Sequence, residues 1–307
     1  MLFAALTLLS WTVSAYGSSR CSRRWGSVRG NRYRLSLAIP LLLLIYLLSD
    51  DDLTRQPGLW LFLLGGICHL GFGDIGLYGT YRSIGPRLGT LICLCLAAPI
   101  ALVVEWVWLG TAIPATQLAC MAWIIIAVVV ALAPTERLRL GAPAIRNGLL
   151  CGLLAAGGQG LGAVVTRQGY AIAEEAEQLP GAFSAALLRT GGGFAVLASL
   201  GLLGLLLGSR DVAAAYSSST SRAEGQDSAA VWPWLLLAAV VGPVLGVAAY
   251  QKAFETTPAA YVQATLVCLP VTMIPVTWLL DGDRPSRRSV FGGLTAVAGV
   301  AALVLTM

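Results

Sequence analysis

Apolar runs close to the length of a bilayer crossing recur from one end of this chain to the other. A transmembrane helix needs about 20 consecutive, mostly apolar residues. Hydrophobic residues make up 57% of the 307 residues and charged residues only 11%, whereas roughly a quarter of the residues in a soluble domain are charged. A soluble fold could not cover so much apolar surface. The sequence therefore predicts an all-α integral membrane protein.

We predict ten transmembrane helices, and because ten is even, both termini lie on the same side of the membrane. The first apolar run could instead be a secretory signal peptide, but its basic residues follow the apolar stretch, whereas a signal peptide carries them in front. The predicted spans are residues 2–18, 35–50, 59–81, 88–109, 113–133, 147–166, 184–208, 231–252, 260–280 and 290–306.

An internal repeat divides the chain into two halves. Shifting the sequence by 172 residues aligns rare residue types without a gap: Trp60 with Trp232, Tyr78 with Tyr250, Pro86 with Pro258, Trp106 with Trp278 and Gly110 with Gly282. Each half has five predicted helices, and because five is odd, the halves enter the membrane from opposite sides as inverted repeats. The predicted parts are a first repeat at 1–134, a linker at 135–146, and a second repeat at 147–307 with a polar, serine-rich loop at 209–230.

The composition argues against several classes of protein. The seven cysteines and the single histidine, His69, have no spacing typical of a metal or haem site, so we expect no metal and no cofactor. Basic residues lie in short loops between spans, which differs from the basic face of a nucleic-acid-binding domain. An enzyme would need convergent acids, bases or metal ligands, and no predicted span carries a pair of carboxylates. We therefore expect neither an enzyme nor a nucleic-acid partner.

The basic residues also bear on orientation and origin. Most of the 20 lysines and arginines follow odd-numbered spans. The positive-inside rule would therefore place both termini outside the cytoplasm. All but one of these residues are arginine, which indicates a GC-rich genome and predicts the cytoplasmic membrane of a prokaryote.

Four stretches carry a resemblance to a known family: LLSWTVSA, NRYRLSLAIPLLLL, GDIGLYGTYRSIGPRLGTLICLCLAAPIALVVEWVWLG and its second-half counterpart AAYQKAFETTPAAYVQATLVCLPVTMIPVTWLLDG. In the last two, a short turn ending in proline precedes an apolar helix with an internal proline. The chain resembles EamA-domain proteins of the drug/metabolite transporter superfamily. Members commonly have a glutamate after the glycine that ends the fourth and ninth spans, where this chain has Thr111 and Asp283. The resemblance implies cytoplasmic termini, against the arginine distribution, so the orientation stays open.

Polar residues inside the apolar spans are the candidates for a substrate or ion pathway. Asp74 is the sharpest signal, because a carboxylate deep in a membrane costs about 2.5–3.5 kcal/mol unless it has a partner or faces water. It would serve proton coupling or cation recognition. Otherwise it would form a structural pair with an arginine from another helix, or be buried in its protonated form beside Gly73 and Gly76. Arg82 and Arg87 are expected to mark the helix end. The pathway candidates are Asp74, Arg34, Arg189, Trp11, Tyr78, Tyr250, Gln159, Gln263 and Glu105.

Other interpretations stay open for some of these residues. Arg189 could extend to the lipid headgroups, and Glu105, beside Trp106, could lie at the membrane interface. The segment GGQGLGAV contains the G-x-G of a nucleotide-binding loop, but no strand precedes it and no Gly-Lys-Ser follows. Gly158 and Gly162 instead have the G-x-x-x-G spacing of a close helix contact.

The patterns and the resemblance together favour a secondary transporter that exports small metabolites, such as amino acids or related compounds, by alternating access between the two halves. The alternative is a non-transporting membrane scaffold or sensor with the same fold. The expected partners are a small-molecule substrate and membrane lipid. Proton coupling and formation of a homodimer are left open.

Overall fold

The computed structural model describes residues 1–25, 27–53, 56–84, 86–132, 141–206, 231–282 and 286–306. These residues form helices and connecting turns, and no strand occurs among them. The elements are α1 (Leu2–Trp25), α2 (Ser27–Leu47), α3 (Leu59–Gly66), π1 (Ile67–Gly73), α4 (Asp74–Ser83), α5 (Pro86–Leu109), α6 (Ala115–Leu132), α7 (Ala142–Glu175), α8 (Ala182–Leu206), α9 (Trp232–Ala239), π2 (Val240–Gly246), α10 (Val247–Thr256), α11 (Ala259–Leu266), α12 (Leu269–Asp281) and α13 (Arg287–Leu305).

The helices are apolar on their outer as well as their inner faces. On α7, for example, Leu149 and Leu150 are exposed while Ala155 and Ala156 are buried. A helix that is hydrophobic all round suits a lipid surrounding. By length and composition, seven helical segments within the described residues are able to cross a membrane. The predicted all-helical membrane class is confirmed.

The predicted boundaries differ from the observed ones mainly at α1 and α7. Helix α1 continues to Trp25, because the polar residues after the apolar run remain helical beyond the predicted end at 18. Helix α7 has 34 residues and starts at Ala142, with a proline in its first turn, a position that proline favours. Residues 142–146 of the predicted linker at 135–146 are therefore helical. The predicted loop at 209–230 lies outside the described residues.

Two helical rods share the same internal division. The first consists of α3, π1 and α4, with 8, 7 and 10 residues; the second consists of α9, π2 and α10, again with 8, 7 and 10 residues. A π-helical turn interrupts the usual hydrogen-bond ladder and often occurs at functional sites. Gly110 and Gly282, paired in the sequence repeat, both have a positive φ, of 68° and 76°, and Gly282 ends α12.

The helix packing has a reciprocal pattern. Helix α7 packs against α4, π1 and α5, while α1 packs against α9, π2 and α12. Helix α2 packs against α8, and α6 packs against α13. The first helix of each predicted repeat therefore packs mainly against helices of the other repeat.

Close approach of α7 to the first rod depends on glycines. A Cβ on Gly158 would lie 2.6 Å from the Cα of Gly73, and a Cβ on Gly162 would lie 2.8 Å from the carbonyl oxygen of Gly65. Such distances leave no space for a side chain, because the obstructing atoms belong to backbone. The predicted close helix contact at the G-x-x-x-G spacing is confirmed. It brings the middle of α7 next to π1.

Gly158→Ala should destabilise the fold, because the added methyl meets backbone that cannot move aside without separating the helices. Overpacking of this kind costs about 1–3 kcal/mol. Thermal unfolding of the purified protein in detergent measures the effect.

The adjacent Gly157 supplies the matched control, since a Cβ there meets no described atom within 4 Å. Gly157→Ala should leave the midpoint unchanged or raise it, because alanine favours the helix by about 0.5–1 kcal/mol. Equal losses in both variants would contradict the assigned contact.

Candidate functional site

A cavity lies inside the bundle, between helices of both predicted repeats. Its volume is about 80 Å³; because one water molecule needs about 10–15 Å³ on this measure, it has room for several. It is lined from α1, α2, π1, α4, α5, α7, π2, α10 and α12. The polar lining includes Ser14, Ser18, Arg34, His69, Asp74 and Gln159.

Arg34 and Asp74 form an ion pair in the cavity wall. The Arg34 Nη2 atom donates to Asp74 Oδ2 at 2.7 Å, and the two side chains are only 13% and 7% exposed. The same Nη2 also donates to Asn31 Oδ1 at 2.8 Å. The pair joins α2 to the start of α4, directly after π1. Asp74 thus has an arginine partner from another helix, which is one of the interpretations left open by the sequence, while it also faces the cavity.

Arg189 of α8 is fully buried and does not extend to the lipid headgroups, so the snorkelling interpretation is wrong. Its Nη1 atom donates to the carbonyl oxygen of Gly162 at 3.2 Å and to Thr166 Oγ1, and its Nη2 atom lies 2.6 Å from Nδ1 of His69. The guanidinium carbon lies 5.0 Å from the ring centre of Tyr250. Arg189 therefore sits directly behind the cavity residue His69.

Aromatic rings surround the same point. Trp11 packs with its ring centre 5.4 Å from His69 and 4.8 Å from Tyr250. Trp11 and Tyr78 line the cavity, whereas Tyr250 lies behind them and is fully buried. The cavity is thus partly polar and partly aromatic, which is typical of a small-molecule site.

The two glutamines are connected to each other. Gln159 lines the cavity, and Gln263 donates from Nε2 to the backbone carbonyl oxygen of Gln159 at 3.1 Å. Gln263 is buried in α11 and joins that helix to α7, so its place is behind the cavity wall rather than in it.

Glu105 lies apart from the cavity. Because it follows Leu94, a lining residue, by eleven positions on α5, it lies about 16 Å further along the helix. Its carboxylate accepts hydrogen bonds from the backbone N–H groups of Ala259 and Ala260 at 3.0 and 2.9 Å. The expected place of Glu105 at the membrane interface stays a prediction. Glu105 is 1% exposed, and its carboxylate caps α11 while the neighbouring Trp106 faces outward.

His69 is the main site residue that the sequence reasoning missed. It was weighed there only as a metal ligand, and within the described part of the chain no group of three or more His, Cys, Asp or Glu side chains could hold a metal ion. A single histidine inside an otherwise apolar span was the available signal. The side chains of Arg82 and Arg87 lie outside the described residues.

Asp74→Asn should destabilise the protein strongly, because it leaves the buried guanidinium of Arg34 without its carboxylate. Breaking a buried ion pair costs about 3–5 kcal/mol. The double variant Arg34→Gln with Asp74→Asn removes both charges and should recover most of that loss in thermal unfolding.

Arg20 and Asp281 are a matched control pair. Their N–O distance is also 2.7 Å and they join α1 to α12, but their side chains are 29% and 31% exposed. Asp281→Asn should cost about 1 kcal/mol or less. If Asp74→Asn lowers the stability no more than Asp281→Asn does, the buried Arg34–Asp74 pair contributes no more to stability than an exposed pair.

Comparison with known proteins defines what the chain is related to. The model of a family described as "EamA-like transporter family" matches residues 147–305. A search of the curated proteins found no significant sequence match. A solved structure titled only "Crystal structure of protein" has a TM-score of 0.76 over 99% of this chain and 96% of that chain, at 16% identity, which shows a shared fold. Because the family match covers more than half of the chain, the protein belongs to the EamA-like transporter family.

Proposed function

We propose that the chain is a secondary transporter that moves small polar or amphipathic metabolites by alternating access, with ten membrane crossings arranged as two inverted five-helix repeats. Family membership supports the general class of transporter. The substrate class, amino acids or related compounds, and the direction, export from a prokaryotic cell, are part of the proposal.

Three features support two inverted repeats at 1–134 and 147–307. The two rods have equal segment lengths on either side of their π segments. The packing is reciprocal, with α1 among second-repeat helices and α7 among first-repeat helices. The family match at 147–305 also begins where the second repeat is predicted to begin. Inverted repeats place a substrate site near the midplane, between the halves.

The cavity occupies one half of the bundle along its axis. On α1 the lining residues run from Trp11 towards the C-terminal end, and on α5 they include Thr90 and Leu94 near the N-terminal end. Both helix ends lie on the same side. This distribution supports a state in which the site is open towards that side of the bundle, here called the cavity side.

The opposite half of the bundle, here called the closed side, is held by a contact between the repeats and by a contact between two helices of the second repeat. The Glu105 carboxylate binds two backbone N–H groups at the start of α11. Arg167 of α7 donates to the carbonyl oxygens of Phe254 and Glu255, at 2.7 and 3.0 Å, at the end of α10. A buried apolar cluster that contains Phe62, Tyr170 and Phe254 lies in the same half. Before the cavity could open in that direction, the hydrogen bonds would have to break and the cluster would have to come apart.

The repeat places Thr277 of α12 at the position equivalent to Glu105. The Thr277 hydroxyl donates to the carbonyl oxygen of Ile274 in its own helix, at 3.1 Å. The Glu105 carboxylate, in contrast, binds backbone N–H groups of another helix. The bonds that Glu105 makes on the closed side thus differ from the bond that Thr277 makes on the cavity side, as expected for one of two alternating states.

The observation that carries the proposal is the buried Arg34–Asp74 pair facing a cavity between the two repeats. Ionisable groups inside a membrane protein mark substrate or ion pathways, because their cost must be offset by function or by partners. Proton coupling through Asp74, and assembly as a homodimer, remain parts of the proposal that flux and mass measurements address separately.

Flux through proteoliposomes tests the proposal. Vesicles holding a mixture of radiolabelled amino acids and related small metabolites should release one class faster with the wild-type protein than without protein. The folded double variant Arg34→Gln with Asp74→Asn should lose at least about tenfold of this rate, because each charge-assisted hydrogen bond is worth about 1.5–3 kcal/mol.

The control is the pair Lys252–Glu255, a salt bridge of 2.6 Å within α10 whose lysine is 44% exposed. Neutralising both of its members should leave flux within about twofold, since exposed pairs contribute little. Wild-type flux in the cavity variant would contradict a role for the ion pair. No flux of any compound through folded wild-type protein would favour the scaffold or sensor.

A further inference from the structure

The charges around the cavity do not balance. Arg34 and Asp74 neutralise each other at 2.7 Å, which leaves Arg189, fully buried beside the cavity residue His69. Among the residues that the structure describes, no carboxylate lies within ion-pair distance of Arg189. Glu105 is engaged at the start of α11, on the closed side. The cavity region therefore carries a net charge of about one positive unit.

The bonds made by Arg189 hold its guanidinium in place without cancelling its charge. Its partners are a backbone carbonyl, a threonine hydroxyl, a histidine ring nitrogen and the face of Tyr250, and all of them are neutral. Arginine stays protonated in proteins. In a medium of low dielectric constant, an uncancelled charge acts strongly over several ångströms. The nearest space that can hold an opposite charge is the cavity.

His69 transmits this charge to the cavity wall. Arginine has no acceptor atom, so the close contact between Arg189 Nη2 and His69 Nδ1 assigns Nδ1 as the acceptor and places the ring proton on Nε2. His69 lines the cavity. It therefore offers an N–H donor whose ring is polarised from behind by a cation, and such a donor favours a carboxylate over a neutral acceptor.

The other lining residues restrict which chemical groups the rest of the ligand can carry. Trp11, Tyr78 and Tyr81 present aromatic rings, and Leu77 and Leu94 add aliphatic surface. This half of the wall suits an apolar or aromatic group rather than a second charge.

We propose that the cavity takes an organic monocarboxylate, a compound of net charge minus one with an apolar or aromatic body, whose carboxylate binds at His69. Arg189 is a positioning residue that acts through His69. This inference rests on the proposed function, because it takes the cavity to be the substrate site, and it narrows the proposed substrates from amino acids and related compounds to carboxylates that carry no ammonium group.

A series of probes that share a three-carbon chain with a phenyl group and differ in the charge of their polar groups tests the inference. The probes are 3-phenylpropionate, its amide 3-phenylpropanamide, 3-phenylpropylamine and the zwitterion phenylalanine. Binding to the native state raises the unfolding midpoint by an amount that grows with the logarithm of the ratio of ligand concentration to Kd. For the wild-type protein in detergent, 3-phenylpropionate should raise the midpoint at concentrations at least about tenfold lower than the amide, the amine or phenylalanine, since one charge-assisted hydrogen bond is worth about that factor or more.

Two substitutions assign the preference to Arg189. Arg189→Lys retains the positive charge and should retain a preference for acid over amide. Arg189→Gln removes the charge and should reduce that preference to about twofold or less, whatever its effect on the midpoint without ligand. The ratio of acid to amide affinity is the readout, because a purely structural role would weaken both ligands alike.

Several outcomes would overturn the inference. They are equal shifts from acid and amide, a preference for the amine or for phenylalanine, no shift from any probe in wild-type protein that unfolds cooperatively, or an unchanged preference in Arg189→Gln. If Arg189→Gln does not fold, the wild-type series alone decides. Carboxylate binding without flux in proteoliposomes would keep this inference and reject the proposed transport, so the two failures are distinguishable.

Discussion

A charged side chain inside an apolar bundle needs a partner from elsewhere in the protein, because neither lipid nor an apolar core can solvate it. In this chain the partners come from other helices. Arg34 of α2 pairs with Asp74 of α4, and Arg189 of α8 bonds to π1 and α7. Glu105 of α5 caps α11. Two of these links cross between the predicted repeats, so the requirement for partners also holds the repeats together.

Close approach of the helices makes these partners reachable. Glycines at the contact of α7 with the first rod bring π1 and the middle of α7 together. The second rod repeats the arrangement, since Gly242 and Gly246 of π2 lie against Ser14 and Trp11 of α1. Both π segments line the cavity. Small residues that allow backbones to meet are typical of membrane helix interfaces, and here they concentrate where the polar groups converge.

Much of the architecture could be predicted from the sequence, because hydrophobic run length and residue spacing are local signals. Such local signals predict the apolar spans, the G-x-x-x-G contact and the free-energy cost of placing Asp74 in a membrane. The partner of Asp74 could not be predicted, because Arg34 is 40 positions away and its pairing depends on how α2 packs against α4. The π segments were missed since their residues fit an α-helical pattern equally well. The partners of Glu105 could not be predicted either, because they lie at the start of α11, more than 150 residues later in the chain.

The central claim is that the two sides of the bundle open reciprocally. Hydrogen–deuterium exchange of the Glu105→Gln variant in lipid nanodiscs tests it most directly, because the variant removes the charge that binds the first N–H groups of α11. The account predicts faster exchange at residues 259–262 on the closed side and slower exchange at residues 87–90 on the cavity side, relative to wild type. Faster exchange at both sites, or a change confined to residues 259–262, would contradict reciprocal opening.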